Sequence, residues 1–320
     1  MPFLCLKVDV DTLRGTQEGV PRLVELFTRH GVGATFLFSM GPDNTGRAIK
    51  RIFRPGFLAK VRRTSVRSNY GLKTLLYGTL IPGPDIGKRG AEQMRAARDA
   101  GFECGIHCWD HVSWQDGVMK NSADWGRAQM RRAHTRFTEV FGNVAATCGA
   151  AGWQMSVDAL RAQGTFGYAY ASDGRSDLLT ATSGADSGPF WPLVRGEALP
   201  VLQVPTTLPT LDEMIGLDGC TPENVADRLL QITVTPSRDH VFTLHAELEG
   251  MALLPAMERL ITGWKDQGYT LSSTAEYVKS LDKSTLPFRE LAWGEIAGRS
   301  GTLLKPGQPY LHALESTLRR

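Results

Sequence analysis

The sequence predicts an α/β fold in which a mainly parallel sheet closes, wholly or in part, into a barrel. Short apolar runs alternate along the 320 residues with longer stretches of helical periodicity, several of which end in glycine. Such alternation is typical of βα units, whose strands are parallel. About seven apolar runs favour barrel-like closure over a short open sheet.

The short apolar runs are predicted to be strands, and the periodic stretches between them are predicted to be helices. The predicted strands are FLCLKV (3–8), ATFLF (34–38), FECGI (102–106), AATC (145–148), YAYA (168–171), VLQV (201–204) and HVFTL (240–244). The predicted helices cover residues 18–31, 90–101, 124–142, 155–164, 222–233 and 252–268.

The sequence contains no convincing nucleotide-binding or serine-hydrolase motif. HGVGATF (30–36) contains a G-x-G pattern, but it follows a helix and precedes a strand, the reverse of the order in dinucleotide-binding folds. Neither a Walker A sequence nor a G-x-S-x-G nucleophile elbow is present in the sequence.

Composition and length are those of an ordinary globular protein. With 42% hydrophobic and 22% charged residues, the chain can hold one large domain or two ordinary ones. Five cysteines, an odd number, do not suggest a disulfide framework and favour a reducing cytosol. The opening MPFLCLKVDVDT predicts neither a signal peptide nor a spanning helix, and no later window of 18 residues is apolar and uncharged.

Positive charge is concentrated between residues 44 and 84, which hold nine basic residues and no acidic one. Apolar residues recur near helical spacing from Ile49 to Val61, although Pro55 would break or kink such a helix. A helix with one apolar side and a basic remainder lies in a membrane interface, so we predict an amphipathic insertion that docks on an anionic membrane surface. The alternatives are a solvated basic face and an apolar side that packs on the barrel. Nucleic-acid binding is not favoured, because the rest of the chain is net acidic and aromatic residues are few here.

Acidic and imidazole side chains directly follow four of the predicted strands. They are Asp9 and Asp11 after the first strand, His107 and His111 after FECGI, Asp173 after YAYA, and His245 after HVFTL. In parallel βα folds, ligands and chemistry collect at the carboxyl ends of strands. We therefore expect these side chains to meet at one face, a convergence that is more specific than any single motif.

Four of these residues have the spacing of a metal-dependent hydrolytic site. The separation of His107 and His111 predicts that both imidazoles lie on one face of a helical turn, where they can share an ion. In the D-V-D stretch, strand alternation points Asp9 and Asp11 to the same side, roughly 6.5 to 7 Å apart. One carboxylate can then bind the ion with the two histidines, while the other stays free to act as a general base.

Each of these residues also has a purely structural explanation. Asp9 and Asp11 could cap the loop after the first strand, and His245 could be a hydrogen-bonded core histidine. Cys104 and Cys108 could join a histidine in a structural zinc knuckle, although no second ligand pair lies nearby and the aspartates would stay unexplained.

The same residues resemble the motifs of the polysaccharide deacetylase (NodB-homology) superfamily. That superfamily has Asp-x-Asp or Asp-Asp after the first strand, His-x3-His after a middle strand, and a late Leu-His. Within it, the chain resembles more closely the family that removes a formyl group from a lipid-linked aminoarabinose. The stretches that carry this resemblance, between about residue 5 and about residue 300, are KVDVDTLRGTQEGVPRL, FLFSMGPDNTGR, GIHCWDHVSWQ, AAGW, YASDGR, QVPTTLPTLDEMIG, TLHAELEG and IAGR.

The resemblance implies a distorted (β/α)7 barrel, with a single catalytic domain over residues 1–300 that includes the insertion at 44–84, and a C-terminal tail at 301–320. It implies hydrolytic deformylation of undecaprenyl-phosphate-linked 4-deoxy-4-formamido-L-arabinose, which releases formate. That reaction serves lipid A modification and resistance to cationic antimicrobial peptides such as polymyxin, and it implies a peripheral location on the cytoplasmic face of the inner membrane. The alternatives are another carbohydrate N-deacetylase of the superfamily and a non-catalytic basic membrane-binding module.

The superfamily's motifs also imply residue roles. Asp9 would be the general base, His245 the general acid for the leaving amine, and Asp11, His107 and His111 the ligands of one divalent ion. Zn, Mn, Co and Ni each accept two imidazoles and a carboxylate, so the identity of the metal stays open. Substrate contact or support of the site is implied for six further residues, which are Arg14, Asn44, Trp153, Asp173, Arg175 and Glu247.

One motif departs from the superfamily. The third motif usually contains an arginine that orients the base, whereas this chain reads CGAAGWQ there (148–154). Either Arg14 or Arg175 orients the base in this chain, or the base is oriented and activated in another way.

Overall fold

The computed structural model describes residues 1–48, 74–176, 188–234, 238–296, 299 and 301–310. The greater part of the predicted amphipathic insertion, residues 49–73, lies outside the described residues, as do residues 311–320 of the predicted tail. Within the described part of the chain, no helix is both long enough and apolar enough to cross a membrane.

The strands alternate with helices along the chain, as predicted. In chain order the strands are β1 (Phe3–Val10), β2 (Thr35–Ser39), β3 (Glu103–Cys108), β4 (Thr147–Cys148), β5 (Tyr170–Ala171), β6 (Trp191–Val194), β7 (Glu197–Ala198), β8 (His240–His245), β9 (Thr270–Ser272), β10 (Phe288–Gly294) and β11 (Leu303–Pro309). The α-helices are α1 (Val20–His30), α2 (Ile86–Arg89), α3 (Ala91–Asp99), α4 (His111–Gly117), α5 (Ala123–Phe141), α6 (Val157–Gln163), α7 (Leu211–Met214), α8 (Val225–Ile232), α9 (Leu254–Asp266) and α10 (Thr274–Ser280).

The central sheet has the strand order β5-β4-β3-β2-β1-β8, and β9 pairs with the first residues of β1. Every pairing in this sheet is parallel. Because the sheet curves and carries helices between its strands, it has the architecture of the predicted distorted (β/α)7 barrel, and this prediction is confirmed.

One predicted strand is wrong. The run VLQV (201–204) forms only isolated bridges, in which Gln203 pairs with Ala171 and with Phe190. Pro200 and Pro205 flank the run, and because proline has no N–H it cannot extend a ladder. The segment nevertheless lies along the β5 edge of the sheet, since Ala171 donates to the carbonyl of Leu202 and Val204 donates to the carbonyl of Ala171.

Strand β1 places its two sets of side chains in different environments. Leu4, Leu6, Val8 and Val10 are buried in the large apolar core with the helices. Side chains of a strand alternate between its faces, so Cys5, Lys7 and Asp9 point to the opposite side, into the barrel. Cys5 packs there with residues from β5, β8 and α10. The barrel side of β1 therefore leads to the acidic residues at its carboxyl end.

A second, smaller sheet has the order β11-β10-β6-β7 and was not predicted. Strands β10 and β11 pair in antiparallel fashion across the predicted domain boundary at residue 300. The first described residues of the predicted tail therefore belong to a sheet. Leu303 of this sheet shares a small apolar cluster with Trp153 and Ile296, which connects the second sheet to the barrel.

Candidate metal centre

Asp11, His107 and His111 form a compact set of possible metal ligands. One ligand atom from each residue lies within 4.8 Å of the other two. His107 Nε2 is 3.2 Å from Oδ1 of Asp11, and His111 Nε2 is 3.4 Å from Oδ2 of the same carboxylate. The predicted convergence of these three side chains is therefore present.

The local structure around the two histidines differs from the prediction. They do not share a helical turn, because His107 lies in β3 and His111 is the first residue of α4. The turn between strand and helix brings their ring centroids to 5.3 Å. Asp110 caps α4 by accepting a hydrogen bond from the backbone N–H of Ser113 at 3.0 Å. This cap fixes the start of the helix that carries His111.

The hydrogen bonding of His107 fits a metal ligand. Its Nδ1 is 2.8 Å from the carbonyl oxygen of Gly149. A carbonyl can only accept, so Nδ1 carries a proton and donates, which leaves Nε2, on the side of Asp11, as the ring nitrogen that can bind an ion. A backbone carbonyl behind the ring is the usual way in which a ligating histidine is oriented.

Asp11 also fits a metal ligand. Its Oδ1 is buried and has no hydrogen-bond donor assigned to it within the described part of the chain. Burial alone would raise the pKa of Asp11, but the adjacent His111 and His107 hold that pKa well below the usual range, so the carboxylate is ionised. Two imidazole nitrogens and one carboxylate oxygen suit Zn, Mn, Co or Ni.

Glu247 supports the backbone that carries Asp11. Its Oε1 accepts hydrogen bonds from the backbone N–H of Asp11 at 3.0 Å, and from the N–H and hydroxyl of Thr12 at 2.8 and 2.7 Å. A Cβ at Gly15 would lie 2.0 Å from this oxygen, so any other residue there would displace the Glu247 carboxylate from these hydrogen bonds. Burial and the negative charge of Asp11 raise the pKa of Glu247 to about 8.

Asp9 lies beside the ligand set with one free oxygen. Its side chain is buried, and Oδ2 accepts a hydrogen bond from Lys7 Nζ at 3.2 Å. The other oxygen, Oδ1, makes no hydrogen bond to any of the described residues and is 3.8 Å from Nδ1 of His107. A buried carboxylate oxygen without a donor is available to take a proton.

His245 ends β8 opposite Asp9. The two residues are register partners in the β1–β8 ladder, so they lie side by side at the carboxyl ends of neighbouring strands. His245 Nδ1 is buried and has no hydrogen-bond partner among the residues that the structure describes, while its backbone N–H donates to Glu249 Oε2 at 2.7 Å. Asp9 and His245 therefore bring two unpaired polar atoms to the same edge of the barrel as the metal ligands.

Asn44 and Asp173 lie in supporting networks. Asn44 donates to Asp110 Oδ2 at 2.6 Å, and so reinforces the cap of α4. Asp173 is buried inside the barrel, where its Oδ2 accepts from Gln163 at 2.6 Å and from Gln203 at 3.1 Å. Neither glutamine was predicted, because an isolated glutamine in a periodic or apolar stretch carries no motif.

Trp153 is the centre of a cluster of cations. Its buried ring has Lys7 Nζ at 5.4 Å, Arg175 Cζ at 4.8 Å and Arg299 Cζ at 4.6 Å from the centroid. Both terminal nitrogens of Arg175 bond to the carboxylate of Glu213 at 2.9 Å. The cluster is thus a packed, charge-balanced wall of the barrel interior.

In the contacts between described residues, neither Arg14 nor Arg175 bonds to Asp9. Arg175 is committed to Glu213, and Arg14 donates through Nε to Glu18 at 3.2 Å on the surface. The cation hydrogen-bonded to Asp9 is Lys7. The K-V-D-V-D pattern carried the signal for this pairing, because alternation places Lys7 on the same side of β1 as both aspartates.

Glu249→Gln is expected to make the stability of the protein less sensitive to pH. Glu249 is fully buried, and burial raises its pKa from 4.5 to about 8. Between those values the folded chain holds a proton that the unfolded chain releases, so the free energy of unfolding falls as pH rises. Glutamine cannot ionise and keeps an acceptor for the His245 N–H. Urea midpoints at about pH 6 and about pH 9 should therefore differ less in the variant.

The exposed Glu92→Gln is the matched control for that measurement and should keep the pH dependence of the wild type. Equal flattening in both variants, or none in Glu249→Gln, would contradict the buried, protonated state of Glu249.

Comparisons with known proteins identify relatives of the chain. It is 36% identical over 298 residues to "Probable 4-deoxy-4-formamido-L-arabinose-phosphoundecaprenol deformylase ArnD" of Shewanella sediminis (strain HAW-EB3), covering 93% of this chain and 92% of the relative. A protein of the same name from Wigglesworthia glossinidia brevipalpis is 29% identical over 289 residues, covering 90% of this chain and 96% of the relative. No family model matches the sequence.

Solved structures share the fold. A crystal structure from Mycobacterium smegmatis, assigned to the polysaccharide deacetylases, has a TM-score of 0.59 at 15% identity and covers 91% of this chain and 95% of its own. A second, from Pseudomonas aeruginosa PAO1 and assigned to the same group, has a TM-score of 0.56 at 17% identity and covers 86% of this chain and 89% of its own.

Proposed function

Because this chain belongs to the family of 4-deoxy-4-formamido-L-arabinose-phosphoundecaprenol deformylases, we propose that it hydrolyses the formamide of that lipid-linked sugar. The products are formate and 4-amino-4-deoxy-L-arabinose-phosphoundecaprenol, for lipid A modification and resistance to cationic antimicrobial peptides such as polymyxin. The observation that carries the proposal is the set of Asp11, His107 and His111 with unpaired atoms of Asp9 and His245 beside it.

Asp11, His107 and His111 are the residues that would hold a divalent ion. When bound, such an ion supplies Lewis-acid activation of the attacking water and of the formamide carbonyl. Glu247 holds the turn after β1 that carries Asp11. The hydrogen bond between Asn44 and Asp110 holds the start of α4, which carries His111. These supports fix the ligands before substrate arrives, so little reorganisation is needed at the moment of reaction.

Asp9 and His245 divide the proton transfers. Asp9 Oδ1, which has no donor, takes a proton from the water that attacks the formyl carbon. His245 Nδ1 gives a proton to the sugar nitrogen as the carbon–nitrogen bond breaks. The formyl group leaves as formate and the amine is released, so the step needs no reactant other than water.

The test is a formate-release assay on the lipid-linked formamido sugar, with the matching N-acetyl sugar as the comparison. We expect formate release that depends on added divalent metal and that exceeds acetate release. Faster acetate release would favour the alternative of another carbohydrate N-deacetylase. No hydrolysis of either amide would leave the alternative of a non-catalytic membrane-binding module.

We also propose that the enzyme meets this substrate at the cytoplasmic surface of the inner membrane, through the basic segment at 44–84. Its end lies beside α5, where Arg136 pairs with Asp85 and with Glu139. Arg132 and Arg136 stack on Trp109 with Cζ 5.0 and 5.5 Å from the ring centroid. All five cysteines are free, as favoured by a reducing compartment.

Charge reversal of Lys60, Arg62 and Arg63 is expected to weaken binding to anionic liposomes by at least about 100-fold, because loss of the three positive charges alone removes about 1 kcal/mol per residue and the new negative charges are repelled. Sedimentation with anionic and neutral liposomes measures this effect. The matched control reverses three exposed basic residues elsewhere, Arg22, Lys279 and Lys283, and should bind as the wild type does. Indifference to lipid charge, or an equal loss in the control, would rule out this docking role.

A further inference from the structure

Lys7 is a fully buried cation in the middle of β1. Its side chain points into the barrel, and Nζ lies 3.2 Å from Oδ2 of Asp9. Removing an ammonium group from water costs several kcal/mol unless a charged partner compensates it. A buried lysine therefore signals a specific task or a well-matched partner, and here the partner is the carboxylate beside the candidate metal centre.

The surroundings of Lys7 hold its side chain in one position. The Trp153 ring lies on one side, 5.4 Å from Nζ, and Gly149 packs closely on the other parts of the site, since a Cβ there would be 2.6 Å from Leu37, 2.9 Å from the Ser172 carbonyl and 3.2 Å from Lys7 Cε. Gly149 is the residue whose carbonyl accepts from Nδ1 of His107. The CGAAGW turn thus shapes the space for Lys7 and orients a candidate metal ligand.

The bond from Lys7 determines which oxygen of Asp9 is available. Oδ2 is bound by the ammonium group, and Oδ1 is left without a donor on the side of His107. Rotation of the carboxylate would break the only hydrogen bond that Asp9 makes through its side chain among the described residues. Lys7 therefore fixes the orientation in which one oxygen is free to accept a proton.

We propose that Lys7 is the positioning residue of the base Asp9, and that it replaces the arginine missing from the third motif. The inference rests on the proposed function, in which Asp9 removes a proton from water. In this chain the orienting cation comes from β1 itself, two residues before the base, while the third motif contributes Trp153 as the surface against which that cation packs.

The main test is a double-mutant cycle between Lys7→Met and Asp9→Asn, measured by formate release. Lys7→Met should lower kcat roughly 10- to 100-fold, the usual loss when a residue behind a catalytic group is removed. KM and metal content should stay within about 3-fold of the wild type. In the Asp9→Asn background, Lys7→Met should have almost no further effect, because a residue that acts through another is non-additive with it. Lys7→Arg should recover most of the activity.

A second cycle, measured by urea unfolding of the same variants, needs no substrate. Lys7→Met leaves Asp9 as an unpaired buried carboxylate, whereas the double variant does not, so the two changes should be coupled by at least about 10-fold in the unfolding equilibrium. This cycle also covers the case in which Lys7→Met alone folds poorly.

The outcomes separate two kinds of failure. A Lys7→Met variant that slows formate release equally in the wild-type and Asp9→Asn backgrounds would show a structural role, and additive unfolding energies would show that Lys7 and Asp9 do not interact. Either result overturns the proposal for Lys7. A wild type that releases no formate contradicts the proposed function instead, and the unfolding cycle still decides whether Lys7 holds Asp9.

Discussion

Asp11→Asn is expected to lose tight metal binding, whereas Asp9→Asn is expected to keep the ion and to lose about 10² to 10⁴ in rate. The two aspartates are separated by a single residue but have different surroundings. Asp11 lies 3.2 and 3.4 Å from the Nε2 atoms of two histidines. Asp9 instead pairs with Lys7 and keeps one oxygen free. The side-chain amide of asparagine can replace neither the anionic metal ligand at Asp11 nor the proton acceptor at Asp9.

The measurement is the metal content of both purified variants by elemental analysis, together with their rates of formate release at saturating metal. Asp124→Asn makes the same chemical change at an exposed residue in the first turn of α5 and should alter neither quantity. Equal metal loss in Asp9→Asn and Asp11→Asn would contradict the division between ligand and base.

The strands and helices that were predicted correctly are those in which burial determines the apolar sequence pattern from the first residue to the last. Strand β1 is buried over most of its eight residues, and α1 buries Val20, Leu23, Leu26 and Phe27 at helical spacing. The helix packs one face against the core and the strand is buried on both faces, so each has an apolar pattern that can be recognised in the sequence. The candidate ligands were found for the same reason, because they lie at or just after the carboxyl ends of such strands.

The elements that were missed carry weak local signals. β11 reads LLKPGQP, and its two prolines and one glycine indicate a turn more than a strand. It forms because β10 offers an antiparallel partner, which is a long-range contact that no local pattern records. The run VLQV (201–204) is the opposite case, because it was predicted to be a strand and is not one. Its apolar residues fit a strand, but the prolines on both sides prevent a continuous ladder of hydrogen bonds.

Parts of the candidate site depended on three-dimensional contacts and could not be read from spacing. The four-residue separation of His107 and His111 suggested a helix, but a strand-to-helix turn achieves the same proximity. The two oxygens of Asp9 are distinguished only by the position of the Lys7 ammonium group. Glu247 was predicted to contact substrate or support the site, and only the structure shows its bonds to the turn after β1.

His245→Ala is expected to slow formamide hydrolysis by about 10² to 10⁴ with little change in metal content. Within the described ranges, His245 is not one of the three residues whose ligand atoms lie together, and its Nδ1 has no hydrogen-bond partner there. It is the register partner of Asp9, so base and acid stand on neighbouring strands. An amine is a poor leaving group unless it is protonated, so loss of the acid should raise the barrier for carbon–nitrogen cleavage.

An activated aryl formate ester distinguishes this role from a structural one, because its phenolate leaves without a proton. His245→Ala should therefore hydrolyse the ester at a rate within roughly 10-fold of the wild type while the formamide rate falls by the larger factor. His30→Ala, which removes a histidine that pairs with Glu258 away from the site, is the control and should leave both rates unchanged. Similar losses on ester and formamide in His245→Ala would mean that the residue supports the barrel edge, since a misplaced edge would slow the attack of water on both substrates alike.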